Sequence, residues 1–130
     1  MEKRFTLGKL ERLKSRKQIE LLFQEGKKFS ITPFRVHYVF HELKNPPLQF
    51  GVGVSSKNFK RAIDRNRIKR LVKEAYRLQK NALQQKVKEK KGQLHVFFIY
   101  NGKEIPGYSG IFDKMKKILD KLGHIIDSEN

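Results

Sequence analysis

The alternation of apolar and polar residues predicts two strands in the first half of the chain. Over residues 34–41 one face carries only apolar side chains and the other is mainly polar, which is the period of a strand with two unlike faces. After the break at Asn45-Pro46-Pro47, residues 48–55 alternate in the same way, but their second face carries mainly glycine and serine. Such a bare face leaves room for another group to approach closely. A further short strand is expected over residues 29–32, between Gly26 and Pro33.

Helical spacing predicts a short first helix and an amphipathic last helix. Ser15 and Gln18 form a capping box, and apolar residues then recur at helical spacing until Gly26 offers a C-terminal cap. Near the C-terminus, apolar side chains at positions 111, 115, 118, 119 and 122 share one face. Gly123 is expected to end that helix.

A long basic helix is predicted between these two. It should begin between Lys57 and Asp64 and end near Leu83, and a charged loop should follow as far as Gly92. One face carries residues suited to a core, which are Ile68, Leu71, Val72, Ala75 and Gln79. The opposite face carries a polar and cationic stripe, which is Asn66, Arg70, Lys73 and Arg77.

The remaining strand completes the predicted architecture. Residues 94–100 are rich in aromatic and β-branched side chains, so we expect a strand buried on both faces. The order α-β-β-β-α-β-α predicts an α+β fold in which a small mixed sheet of three to four strands is covered by helices. We expect one domain over residues 1–130, with flexible ends at residues 1–10 and 124–130.

The net charge of the chain indicates a class of function. Thirty Lys and Arg against thirteen Asp and Glu give +17, and residues 57–80 alone hold ten basic residues against two acids. Such a charge implies an anionic partner, whether RNA, DNA or a membrane surface. A merely solvated helix face is the alternative, although solvated helices usually interleave Glu with Lys.

Other classes find little support in the sequence. The longest apolar run, residues 96–100, is too short to span a membrane, and no signal-peptide stretch precedes it. The absence of cysteine excludes disulfides, thiolate zinc ligands and thiol nucleophiles, and it fits a reducing cytoplasm. We therefore expect a cytoplasmic protein with no membrane partner.

Candidate catalytic and metal-binding groups are scattered. His37 and His41 share a strand face but stand about 13 Å apart at the usual rise, too far for one metal ion. Asp64, Glu74 and Asp113 are isolated acids, which more often act as local charge partners than as magnesium ligands. A protein-only nuclease would need a cluster of carboxylates or histidines. We expect no catalytic residue, no metal site and no cofactor bound by the protein alone.

Three segments resemble the protein subunit of bacterial ribonuclease P. They are residues 51–57 (GVGVSSK), residues 60–70 (KRAIDRNRIKR) and residues 74–77 (EAYR). Arg65-Asn66-Arg67 within its Ala-Ile and Ile-Lys-Arg frame is far more specific than a basic run. The resemblance covers roughly residues 5–100, and the last helix agrees in pattern only.

The resemblance implies a subunit of an endoribonuclease whose RNA performs the chemistry. It implies two partners, ribonuclease P RNA and precursor tRNA, and no protein partner is expected. Magnesium is expected in the holoenzyme, held mainly by RNA. The family also implies an unusual left-handed strand-helix-strand crossover through the basic helix, against the general rule.

The resemblance also assigns two surfaces by position. The surface for the catalytic RNA would comprise Lys57, Lys60, Arg61, Arg65, Asn66, Arg67, Lys69, Arg70, Lys73 and Arg77. The cleft for the 5′ leader of precursor tRNA would comprise Ile19, Phe23, Phe34, Arg35, His37, Ser55 and Ser56, with Lys57 at its edge. Ile19 and His37 stand where relatives often place Phe and Tyr, so weaker base stacking is expected there.

Several alternatives stay open at this point. Arg65 could pair with Asp64 or Glu74 instead of RNA, and Asn66 could act as a local cap. Phe23 and Phe34 could be ordinary core residues. A general structural RNA-binding protein, such as a ribosomal component, is the alternative function.

Overall fold

A mixed sheet and four helices form the part of the chain that the computed structural model describes, namely residue 12, residues 16–42 and residues 47–128. The elements follow the order α1 (Arg16–Glu25), β1 (Lys27–Ile31), β2 (Phe34–Glu42), β3 (Leu48–Val54), α2 (Ala62–Gln79), α3 (Asn81–Glu89), β4 (Gly92–Tyr100) and α4 (Tyr108–Asp127). The predicted cap Ser15 and the expected flexible residues 1–10 lie outside the described residues. The predicted α+β class is confirmed.

The strand order is β1-β2-β4-β3. β1 pairs with β2, and β2 with β4, in antiparallel fashion, whereas β3 runs parallel to β4. The chain passes from β3 to β4 through α2 and α3, so this connection is the predicted strand-helix-strand crossover. Its left hand stays a prediction.

One face of the sheet is the core. Phe34 and Val36 of β2 and Phe98 of β4 are at most 1% exposed and belong to one cluster with the buried residues of α2, α3 and α4. Tyr76 of α2 stacks on Phe50 of β3, with ring centroids 4.4 Å apart. The predicted apolar face of the basic helix is thus confirmed, and Tyr76 is a core residue that the sequence pattern did not single out.

The opposite face of the sheet carries α1. Leu22 is the buried residue of this helix, and its neighbour Phe23 contacts the rings of His37 in β2 and Phe97 in β4. Both partners belong to the strand positions that point away from the core. The sheet therefore separates a three-helix layer from the single helix α1.

The predicted charged loop before Gly92 is wrong. The chain stays in right-handed helical backbone at Lys80, where the Gln84 amide donates to the Lys80 carbonyl at 2.9 Å, and α3 follows. Leu83 and Val87, one turn apart, are both buried. Their i,i+4 spacing continues the apolar face within a polar stretch, and burial against α4 and β4 stabilises a helix whose composition suggested a loop.

Two further boundaries differ from the sequence prediction. The expected short strand before Pro33 exists but begins earlier, at Lys27. The predicted helix stop at Gly123 is wrong, because α4 continues to Asp127 with Ile126 buried. Gly123 lies inside the helix beside the side chain of Lys86, so its small size serves packing between α3 and α4 and does not end the helix.

Candidate nucleic-acid interface

The outer side of α2 presents an exposed polar and cationic surface. Asn66, Arg70 and Lys73 are exposed, whereas Ile68 and Val72 on the inner side are fully buried. Burial against the sheet and α4 therefore fixes which way the cations point. Arg67 is exposed beside them, and Lys69 is half-buried.

Arg65 differs from the other basic residues of α2. Its Nη1 donates to the carbonyls of Phe59 and Lys60, both at 2.8 Å. The predicted alternative, a pair with Asp64 or Glu74, is wrong, since Asp64 lies 3.8 Å from Arg61 and Glu74 bonds Arg77. Arg65 therefore ties the start of α2 to the loop that precedes it.

Arg77 is held by an ion pair. Its Nη2 donates to Oε2 of Glu74 at 2.6 Å and its Nε to Oε1 at 3.0 Å. This hydrogen bonding lowers the pKa of Glu74 and raises that of Arg77. Arg77 thus lies on the predicted stripe with its charge partly offset, and Glu74 is a local charge partner, as predicted.

The loop before α2 adds exposed cations at fixed positions. Lys57, Lys60 and Arg61 are exposed. Between them, Phe59 is buried, and Nδ2 of Asn58 donates to the carbonyls of residues 101 and 102, each at 3.2 Å. The buried ring and these bonds anchor the loop to the end of β4, so its lysines project from a supported segment.

A second candidate surface lies between α1 and the sheet. The Phe23 side chain is 43% exposed, although its ring centroid lies 4.6 Å from that of His37 and 5.3 Å from that of Phe97. Arg35 is exposed two residues before His37 on the same strand face. A partly open aromatic cluster beside a cation suits the stacking of unpaired bases with a nearby phosphate.

Phe34 does not belong to this cleft. It is 1% exposed and packs edge-on against Tyr100 at 5.5 Å on the core face. Residues three apart in a strand point to opposite sides, so Phe34 and His37 cannot line one cleft. The placement of Phe34 by resemblance is corrected, and its reading as a core residue is confirmed.

The bare face of β3 accommodates an aromatic ring. A Cβ atom at Gly53 would lie 3.0 Å from Cε1 of Phe97, closer than ordinary contact. Ser55 follows directly after the strand and is half-buried, and Ser56 is exposed. The close approach expected from the sequence is therefore made by Phe97 of the adjacent strand.

A groove of about 320 Å³ along the outer edge of β3 connects the two surfaces. Its lining includes Ile19 of α1, Phe97 of β4, and Lys69 and Lys73 of α2. Arg12 adds a further cation on the side of the two lysines. Arg12 also forms an isolated parallel bridge to Phe50. The groove thus joins the aromatic cluster to the basic helix.

Phe97 and Arg12 are site residues that sequence reasoning did not assign. The alternation within β4 indicates that Phe97 points away from the core face, but only the register that sets it opposite His37 shows which cluster it joins. Arg12 enters through an edge contact for which the sequence offers no local signal.

Cations dominate the electrostatics of the cleft. Burial lowers the pKa of His37, and the nearby charges of Lys28 and Arg35 lower it further. An anion placed beside these groups would offset the repulsion and favour the protonated imidazole.

Acidic and histidine side chains do not converge in the described part of the chain. No group of three or more of them is close enough to hold a metal ion there. The rings of His41 and His95 have centroids 4.8 Å apart, and Nε2 of His95 forms a hydrogen bond with Oε1 of Gln93 at 2.6 Å. Within the same described residues, no helix is long and apolar enough to cross a membrane.

Comparison with known proteins yields one family. A family model described as Ribonuclease P matches residues 7–123. A ribonuclease P protein component from Porphyromonas gingivalis is 37% identical over 125 residues, which cover 95% of this chain and 91% of that protein. Another from Clostridium kluyveri is 33% identical over 112 residues, covering 86% and 94%.

A solved structure agrees with the fold. The ribonuclease P protein of Staphylococcus aureus superposes with a TM-score of 0.70 at 18% identity, over 87% of this chain and 95% of that chain. The likeness covers most of both chains.

Proposed function

This chain belongs to the ribonuclease P protein family, and from that premise we propose that it binds ribonuclease P RNA through α2 and its preceding loop, and the 5′ leader of precursor tRNA through the cleft under α1. The complex would act as an endoribonuclease that removes the leader, and its cytoplasmic location is part of the proposal. The relatives give no support to a ribosomal component, the alternative left open by the sequence.

The observation that carries the proposal is that the protein has two surfaces of different chemistry. The outer side of α2 and the loop before it are cationic and carry no exposed aromatic ring among the described residues, which suits a phosphate backbone. The cleft pairs the open ring of Phe23 with Arg35, which suits unpaired bases. The groove along β3 lets one ligand extend to both surfaces.

The chain's own residues would bind and orient, while the RNA would perform the cleavage. Asp64 and Glu74, the acids nearest the proposed RNA surface, already contact arginines, so they are poor candidates for holding a catalytic ion. Magnesium would polarise the scissile phosphate and would be held mainly by RNA oxygens. Neutralisation of phosphates by α2 would reduce the amount of free magnesium that the RNA needs to fold.

The proposal is tested by affinity measurements on the assembled ribonucleoprotein. The chain should increase the affinity of ribonuclease P RNA for precursor tRNA much more than for mature tRNA, because only the precursor carries a leader. An equal increase for both would support general RNA binding and would contradict the leader-binding cleft.

A further inference from the structure

α4 carries a row of lysines on the side that faces β1. At 100° per residue, Lys114, Lys117 and Lys121 fall within about 60° of one another, on one flank of the buried stripe. Lys117 and Lys121 are exposed, and Lys114 is half-buried. The row extends over about 10 Å at the usual helical rise.

The acids of α4 lie next to its lysine row but do not pair with it. The acids Asp113, Asp120 and Asp127 are exposed in a neighbouring row that begins about 40° from Lys117, and Asp127 forms an ion pair with Lys86 across the α3–α4 contact at 2.7 Å. No ion pair joins the three row lysines to a carboxylate within the described part of the chain. Asp113 stands four residues before Lys117, the spacing at which solvated helices form i,i+4 ion pairs, yet these two side chains form none.

β1 supports and extends the lysine row. Nζ of Lys121 lies 4.7 Å from the ring centroid of Phe29, and this cation–π contact holds the ammonium at the surface. Beyond it, Lys27 and Ile125 line a small pocket of about 150 Å³, in which Glu25 is the acidic residue. We refer to Lys27, Lys114, Lys117 and Lys121 as the α4–β1 lysine row.

This row is separate from the surface on α2. β1 and β3 are the two edge strands of the sheet, about 14 Å apart at the usual strand spacing. Lys69 and Lys73 border the β3 edge, whereas the row borders β1. An RNA segment lying along α2 therefore leaves the row unoccupied.

We propose that the α4–β1 lysine row is a second RNA-backbone site, which contacts a segment of RNA distinct from the one bound by α2. The row offers flexible ammonium groups and, among its own members, no planar guanidinium, so it should recognise phosphate as point charges without sequence preference. Its length matches on the order of three phosphates of one strand. RNA contacts on both α2 and the row would let this small protein hold two RNA segments in a fixed relative position.

The inference rests on the proposed function, and variants with equal charge loss test it. The row variant carries Lys114→Gln, Lys117→Gln and Lys121→Gln. The control variant carries Lys88→Gln, Lys103→Gln and Lys116→Gln, which are exposed residues outside the row. Dissociation constants for ribonuclease P RNA are measured over a range of salt, and hydroxyl-radical footprints of the RNA are recorded for each complex.

The row variant should flatten the dependence of log K on log salt by about two to three units, and the control variant by less than one. Its footprint should lose protection in an RNA segment that Arg70→Ala leaves protected. Equal slopes and footprints for the row and control variants would overturn the inference. So would unchanged RNA binding together with lost binding to phosphatidylglycerol vesicles, which would identify a membrane contact.

Adjacent residues of α4 supply a milder version of the same test. Lys117→Gln and Lys116→Gln remove the same charge from the same helix, but on different faces, so only the first should alter the slope. If the unmodified chain fails to bind the RNA, the proposed function itself fails. If it binds and these two variants behave alike, only the second site is wrong.

Discussion

Three aromatic side chains give the cleft its expected chemistry. Phe23 is held against His37 and Phe97 while much of its surface stays exposed. A ring fixed by its neighbours loses little conformational entropy when a base stacks on it. The affinity gained from a leader should therefore depend on Phe23.

Phe23→Ala should reduce the leader-dependent part of the binding free energy by about 1 to 3 kcal/mol. The measurement compares the affinity of the assembled complex for precursor and mature tRNA. Leu21→Ala is the matched control, because Leu21 is 44% exposed on the same short helix outside the aromatic cluster. Equal losses for precursor and mature tRNA would indicate a damaged fold and would contradict stacking.

Arg65 and Arg70 should separate stability from RNA binding. Arg65→Ala removes two hydrogen bonds to loop carbonyls and should lower the free energy of unfolding by about 1 to 3 kcal/mol. Arg70→Ala removes an exposed cation and should change stability by less than about 0.5 kcal/mol. It should instead flatten the salt dependence of RNA binding by about one unit.

Urea unfolding of the free protein measures the first effect, and salt titration of RNA binding measures the second. Arg65→Lys is a useful companion, since a single ammonium has different geometry from a guanidinium and should restore stability only in part. Full stability of Arg65→Ala would show that the two carbonyl contacts are unimportant for the fold.

His37 should make leader binding depend on pH. Burial and the cations Lys28 and Arg35 hold its pKa below the ordinary value. Leader phosphates would offset that field and raise the pKa, so the complex would hold more protons than the free protein near neutral pH. By linkage, leader affinity should rise as the pH falls from about 8 to about 6.

The check is the ratio of precursor to mature tRNA affinity as a function of pH. His37→Tyr keeps an aromatic ring but does not titrate in this range, so its ratio should be nearly flat. A slope that persists in His37→Tyr would assign the effect to another group.

At the scale of elements, periodicity predicted most of the architecture. The alternation in β2 and β3 and the helical spacing in α2 depend on burial of one face, and that burial is present. The periodicity argument failed at α3, because lysine and glutamine between Leu83 and Val87 conceal an apolar stripe of only two residues. It also failed at Gly123, where packing against Lys86 explains a glycine that the pattern associated with a helix end.

Gly123→Ala should stabilise the protein. The position is helical, and an added Cβ would meet only the flexible end of Lys86, at 3.4 Å or more. The gain should approach the usual value of about 0.5 to 1 kcal/mol for alanine over glycine in a helix interior.

Thermal and urea unfolding measure this gain. Gly102→Ala is the contrasting variant, because its Cβ would meet the ring of Tyr100 in close contact, and it should destabilise the protein. Destabilisation by Gly123→Ala would show that α3 and α4 pack more tightly there than the structure indicates.

At the scale of the whole molecule, strand pairing determines which residues line the cleft, and the sequence alone did not predict that pairing. Phe97 joins the cleft only because β4 lies between β2 and β3, and no local pattern specifies that order. The resemblance placed Phe34 in the cleft because it supplied positions along the chain and not the face of the strand. The basic surface of α2 could be predicted without knowing the strand order, because the buried and the cationic faces of α2 both follow from the spacing of residues within one helix.

The net charge of +17 is a property of the whole molecule that favours a polyanionic partner. One surface on α2, one cleft under α1 and the proposed row between α4 and β1 surround the sheet with different contacts. A protein of this kind would hold RNA segments in place.

The most direct measurement is cleavage of a precursor tRNA at low magnesium by a bacterial ribonuclease P RNA, with and without this chain, and by the chain alone. We predict that the RNA alone is nearly inactive, that the chain restores correct 5′ processing, and that the chain alone cleaves nothing. Binding to the RNA without any gain in cleavage, or cleavage by the chain in the absence of RNA, would contradict the account.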